Sequence, residues 1–324
     1  MKKYIRLLFV LILTAAIALL LFAPIIKKGE KDNQPTILTT NFVAYDMARN
    51  ITKDADIKVQ MLLSPGTDLH NYEPTPQDII KIKESDVFIY NGGESEKWLS
   101  DIIDEIDKNK TAIIKMMDVV ELVEEDNHNI LEGEEHEDET HKEPSEYDEH
   151  IWTSPKNVQK ICSKITSVIS KKYPEFRKQF EHNLANELTA LKQLDQDFED
   201  LAKTKTGTII MADRFPLRYF VDEYGFDYLA AFPGCSEQTE ANSKTISILI
   251  DKVKSTHAKA IFHIELSNQQ IANTIKDATG VEILEFHSMH NISKSDFYSG
   301  KTYIDIMKQN YQNLDKALYD ITDR

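Results

Sequence analysis

Two histidines stand in local frames suited to holding a side chain still. One frame runs Ser64-Pro65-Gly66-Thr67-Asp68-Leu69-His70-Asn71-Tyr72-Glu73-Pro74-Thr75-Pro76, the other Asp148-Glu149-His150-Ile151-Trp152-Thr153-Ser154-Pro155. Just before the second lies a long acidic stretch that carries His128, His136 and His141. Neutral imidazole is a good ligand for zinc and several other divalent metals. An acidic segment dotted with histidines is a weak, exchanging collector of the same ions. Two framed histidines beside such a segment point to capture of a divalent metal.

The elements that must position these side chains alternate between strand and helix. Strand-like segments are Thr36 to Thr39, Ile57 to Leu63, Asp86 to Tyr90 and Thr111 to Lys115, then Gly207 to Met211, Asp227 to Ala231, Ala260 to Ile264 and Glu282 to Phe286. Helix signals lie between them: Asn41 as a cap, Thr75-Pro76-Gln77-Asp78 as a helix start, Ser95 to Ile106, Phe215 to Glu223, Ser243 to Thr256, Ser267 to Ala278 closed by Gly280, and Thr302 to Ile321. Strands alternating with helices imply parallel sheets. Pro174 to Lys203 has no glycine and carries charge throughout, so it reads as one long helix. The expected fold is α/β: two lobes, each with a roughly four-stranded parallel sheet and flanking helices, joined by that rigid helix. The expected division is 1–31 as a membrane anchor or signal segment, 32–155 as the first lobe, 156–205 as linker helices and 206–324 as the second lobe. Residues 121–149 have no periodicity and few bulky apolar side chains, which predicts a disordered loop.

In open α/β sheets ligands bind beyond the carboxyl ends of the strands. His70 follows the second expected strand and His150 the fourth, while Asp213 follows the fifth and His287 the eighth. Both lobes therefore offer candidates on the same edge, where a cleft could gather them. His290 lies close to His287, and either could instead serve as a cap or hydrogen-bonding group. Glu265 ends its strand two residues after His263 and suits an acceptor that orients a ligand histidine. Cys235 reads as a small turn residue. The two cysteines, Cys162 and Cys235, form no C-x-x-C motif, so a thiolate zinc site is not expected. Whether they pair is left open.

Charge and composition narrow the partners. A formal net charge of −16 argues against nucleic acid or an anionic membrane surface and agrees with a cation as ligand. Met1 to Arg6 is basic, and Leu7 to Ile26 is an apolar run long enough to cross a hydrocarbon core of ~30 Å as a helix. The Lys/Arg cluster places the N-terminus inside, so the globular part is exported. An uncleaved anchor is favoured over a removed signal peptide, because apolar residues continue past Ala16-Ile17-Ala18. No H-E-x-x-H motif appears, and a zinc hydrolase is not expected.

The two histidine frames resemble those of the metal-binding receptors of bacterial zinc and manganese ABC importers, the cluster 9 solute-binding proteins. The resemblance covers roughly residues 36–324, including the long helix and the position of the acidic loop. It implies that His70 and His150 are the first two ligands. The third ligand, a histidine or glutamate in that family, corresponds here to Asp213. The last, typically an aspartate, corresponds to His287, with Glu285 as a rival. The family's lipid-anchoring cysteine near the N-terminus is missing, and the apolar segment would take over its tethering role. The implied protein is a non-enzymatic, monomeric receptor on the extracytoplasmic face of the membrane that delivers its ion to an ABC permease. Three imidazoles and a carboxylate favour Zn2+, with Mn2+ as the alternative should oxygen ligands predominate.

Overall fold

The strands are short and apolar, and they pair in two parallel sheets. The computed structural model describes residues 34–67, 70, 72–126, 128–132, 147–236 and 240–321. The expected N-terminal membrane segment and the acidic-loop histidines His136 and His141 lie outside the described residues. Among those described, no helix is long and apolar enough to cross a membrane.

The first sheet contains β1 (Thr36–Thr39), β2 (Lys58–Met61), β3 (Val87–Tyr90) and β4 (Ala112–Lys115) in the order β2-β1-β3-β4. Two residues, Lys205–Thr206, form β5. The second sheet contains β6 (Thr208–Phe215), β7 (Asp227–Pro233), β8 (Ala260–His263) and β9 (Glu282–Glu285) in the order β7-β6-β8-β9. All pairings within both sheets are parallel. The two halves thus repeat one winding, and their carboxyl edges offer equivalent positions. The two expected sheets are present.

Helix starts follow the chemistry of their caps. Asn41 accepts a hydrogen bond from the Ala44 N–H at 3.0 Å and opens the helix Phe42–Ile51. Thr75 and Asp78 form a reciprocal capping box around Pro76, opening Pro76–Glu84. Ser154 caps Pro155–Lys172. The long helix Arg177–Thr204 has 28 residues, so at 1.5 Å per residue it is about 42 Å long. It buries Phe180, Leu191, Leu194, Phe198 and Leu201 and leaves its charged positions toward water. Each such buried side chain contributes roughly 1.5–3 kcal/mol.

One hydrophobic core runs through both sheets and this helix: it joins Ile37 and Val87 of the first sheet to Phe198, then to Ile209 and Phe262 of the second. Thr36–Arg324 is accordingly one compact unit. Smaller clusters lie around Phe88 and Leu99 and around Ile210 and Leu249.

Three elements differ from the sequence expectation. Ser95 to Ile106 is not one helix but a 3-10 turn, Glu94–Glu96, followed by the helix Leu99–Asp104. Glu96 is turned inward, where its carboxylate accepts the Gly92 N–H at 2.7 Å. The last helix spans Tyr303–Ala317, and the chain then extends as β10 (Tyr319–Asp320), antiparallel to β5. Lys205 holds that closure through Asp315 and Asp320, each at 2.9 Å. The flanks of the acidic segment are also ordered. Glu124 bridges to Tyr147, and Ile130 pairs with Ala230 on the outer edge of β7. An exposed strand edge offers unpaired backbone groups, and Leu131 and Glu132 donate to the carbonyls of Ala230 and Ala231 at 3.0 and 2.9 Å.

Candidate metal centre

The loop after β2 turns at Gly66, which has φ +88, a conformation costly for any side chain. The Gly66 N–H donates to the Ile292 carbonyl at 2.8 Å. Asn291 donates through Nδ2 to the carbonyls of Ser64 and Thr67. The loop carrying His70 is thereby tied to the loop that follows β9.

His150 is held on every side. Asn91 Nδ2 donates to the Glu149 carbonyl at 2.8 Å, and the Tyr219 hydroxyl donates to the Asp148 carbonyl at 2.9 Å. Thr153 Oγ1 donates to the carbonyl of His150 itself at 2.9 Å. Gly234 backs the ring: a Cβ there would lie 2.9 Å from His150 Cε1. Trp152 packs edge-on to His150 and His290, both at 5.7 Å between ring centroids, and its Nε1–H donates to the Ser288 carbonyl at 2.8 Å.

These restraints bring three imidazoles together. The rings of His70 and His150 lie 6.2 Å apart, those of His70 and His290 4.9 Å, and those of His150 and His290 4.4 Å. The Nε2 atoms of His70 and His290 are 3.3 Å apart. Ligand atoms ~2.0–2.2 Å from a tetrahedral zinc stand roughly 3.3–3.6 Å from one another. Ligand atoms of His70, Glu149, His150 and Cys235 also lie within 4.8 Å of one another.

Outer partners set the tautomers. His150 Nδ1 lies 3.0 Å from Asp148 Oδ1, so this nitrogen carries the proton. His150 Nε2 is then a bare lone pair, buried and without a hydrogen-bond partner. Glu265 accepts the Ser288 N–H at 2.6 Å, the Ser288 hydroxyl at 2.7 Å and the His290 N–H at 3.1 Å. With its own proton committed to Glu265, Ser288 Oγ accepts from His290 Nδ1 at 2.6 Å. That leaves His290 Nε2 as the lone pair facing His70. Glu265 thus braces the His290 ring through Ser288.

Protonation divides the two buried rings. Burial works to lower the His150 pKa, but the charges of Asp148, Glu149 and Glu125 outweigh it and raise the pKa above the ordinary histidine value. Burial also lowers that of His290, and there the neighbouring His150 and His70, then Arg214 and His287, lower it further. His290 is therefore held neutral and ready to ligate.

Of the four residues singled out in the sequence, the structure brings His70 and His150 together. Asp213 lies in the bulge of β6 between Met211 and Arg214. Its Oδ1 accepts the Arg214 N–H at 2.8 Å, and it lines a cavity of about 150 Å3 with Phe232, Leu266 and Asn268. His287 is pinned by Asn310, which accepts its N–H at 2.8 Å and donates to its carbonyl at 2.9 Å. Its Nδ1 accepts the Met289 N–H at 3.1 Å. Neither residue joins the four-residue group found among the described residues, and His290 stands outside that group as well. His290 points inward instead because Met289 has φ 62 and reverses the chain just before it. A methionine gives no sequence signal for that turn. Cys235 is in a turn, as expected, but its Sγ lies among the ligand atoms. Both cysteines are free: Cys162 is buried, with its Sγ 3.1 Å from Met47 Sδ.

Two like-wound parallel sheets on a long helix thus bring imidazoles together where their carboxyl edges meet. Residues 37–317 match the family described as "ZnuA: Zinc-uptake complex component A periplasmic", and the chain belongs to that family. Among curated relatives, the zinc-binding lipoprotein AdcA of Streptococcus pneumoniae is 28% identical over 97% of this chain, which spans 61% of that relative's length. The high-affinity zinc uptake system protein ZnuA of Bacillus subtilis is 27% identical over 90% of this chain and 89% of its own. Among solved structures, the Zn(II)-bound ZnuA-like domain of Streptococcus pneumoniae AdcA has a TM-score of 0.72 at 26% identity, covering 88% of this chain and 99% of that domain.

Proposed function

We propose that this protein captures zinc outside the cytoplasm and delivers it to the membrane permease of an ABC importer. The apolar segment near the N-terminus would tether it to the membrane. The observation that carries the reading is the lone pair of His150 Nε2, buried and unpartnered beside the rings of His70 and His290. An unpaired buried polar atom costs roughly 1–3 kcal/mol, a cost that a bound cation would remove. Three neutral imidazoles suit tetrahedral zinc, whereas manganese prefers oxygen and higher coordination. His70, His150 and His290 are the proposed ligands, with the Glu149 carboxylate alongside to offset charge. Asp213 and His287, the positions implied by the family resemblance, are the rival completion of the site.

Calorimetric titration of the full chain in detergent with zinc and manganese tests this. Zinc is expected to bind below micromolar concentration, and tighter than manganese. Absence of a tight site for either metal would overturn the reading.

A further inference from the structure

Cys235 sits at the carboxyl end of β7, in the turn Phe232-Pro233-Gly234-Cys235-Ser236. The turn is pressed against His150, because Gly234 leaves room for that ring and for no side chain of its own. The Cys235 thiol donates to Glu149 Oε1 at 3.5 Å. Its sulfur lies within 4.8 Å of ligand atoms of His70, Glu149 and His150. His150, fully buried and with an unpartnered Nε2, belongs to the same group. A sulfur, imidazole lone pairs and a carboxylate converging in this way make a mixed N/S donor set.

We propose that Cys235 ligates the captured ion as a thiolate, and that this sulfur makes the site select thiophilic dications, zinc and cadmium, over manganese. The proposal rests on the metal-capture reading above and adds a ligand and a selectivity to it. Thiolate is a soft donor that favours zinc-like ions, while manganese is served by carboxylate, carbonyl and water. Burial pushes the Cys235 thiol well up, and the neighbouring Glu149, Glu125 and Asp148 push it further. A bound dication reverses that balance, since a coordinating thiol is deprotonated outright. The S–H bond breaks, a sulfur–metal bond forms, and the proton is released to solvent. No electrons change hands.

Cobalt(II) reports the ligand directly, because a cobalt–thiolate bond adds a sulfur-to-metal charge-transfer band in the near ultraviolet to the visible bands of a tetrahedral ion. The full chain in detergent, titrated with cobalt, is expected to show both. Cys235→Ser is expected to lose the near-ultraviolet band and keep visible absorption. It should also lower zinc affinity by at least the roughly 10- to 100-fold that follows loss of an outer ligand partner, with manganese affinity changed much less. Visible cobalt bands without the charge-transfer band would overturn thiolate ligation and leave the capture reading standing. Failure of the unmodified chain to bind either cobalt or zinc would overturn both.

Discussion

The two carboxyl edges share one winding, yet they build their halves of the site by different means. On the N-terminal edge, His70 and His150 follow β2 and β4 in frames whose prolines, glycine and capping residues fix the local chain. On the C-terminal edge, His290 and Cys235 are turned inward by a left-handed Met289 and by the space that Gly234 leaves. The electrostatics differ as well. Carboxylates around His150 outweigh its burial and raise its pKa, whereas burial and then the neighbouring His150, His70, Arg214 and His287 lower that of His290. Equivalent positions in a repeated topology thus carry one imidazole whose pKa is raised and one whose pKa is lowered.

The largest test of this contrast removes ligands. His150→Ala and His290→Ala are each expected to weaken zinc binding by about a thousandfold, roughly 4 kcal/mol, in calorimetry. Asp213→Ala and His287→Ala should stay within several-fold of the parent. Equal losses at Asp213 and His290 would erase the distinction between the sheet positions and the reversed loop.

Next come the groups that hold the rings. Asp148→Asn and Ser288→Ala should each weaken zinc binding roughly 10- to 100-fold through loss of tautomer control. Ser288→Thr, which keeps a hydroxyl, should recover most of the loss in the same titration. If alanine and threonine behave alike at Ser288, the Glu265–Ser288–His290 chain has no orienting role.

The proton contrast predicts a pH profile. Because its pKa is raised above 6.5, His150 starts to gain a proton above that pH, and zinc must displace it. Affinity is expected to fall as pH drops through that raised value. The lowered pKa of His290 means that it adds no second proton in the same interval. Zinc titrations from pH 8 down toward pH 5 measure the slope. A profile unchanged in His150→Gln would break the assignment.

The smallest expected effect concerns Glu96, buried behind the N-terminal edge. Burial raises its pKa from 4.5 to about 7; hydrogen bonds, the Gly92 N–H among them, oppose the rise and the charge of Glu149 adds to it. The folded state therefore binds more protons than the unfolded chain between those values. This contribution to stability is full below about pH 4.5 and is lost as pH rises through about 7. In metal-free urea unfolding, Glu96→Gln should stabilise the protein at pH 8 relative to its effect at pH 5, by roughly 2–3 kcal/mol at most. An equal effect at both pH values would mean that Glu96 ionises normally.

Much of this protein was determined by its sequence alone. Short apolar runs alternating with capped amphipathic segments specify two parallel sheets, because each pattern can bury its apolar face in only one kind of layer. The frames around His70 and His150 are likewise local, set by turn and cap residues that act within a few positions. The rest was decided by tertiary structure. Ile130 meets the edge of β7 across a hundred residues, and β10 ends the last helix early by pairing with β5. The His287 ring is turned back onto the Met289 N–H, and His290 follows the left-handed backbone of Met289 to lie beside His70 and His150. Cys235 becomes a ligand candidate only because Gly234 is packed against a ring from the other sheet. Local propensity acts within a few residues, but the direction of a side chain into a site between two sheets is set by what packs behind it.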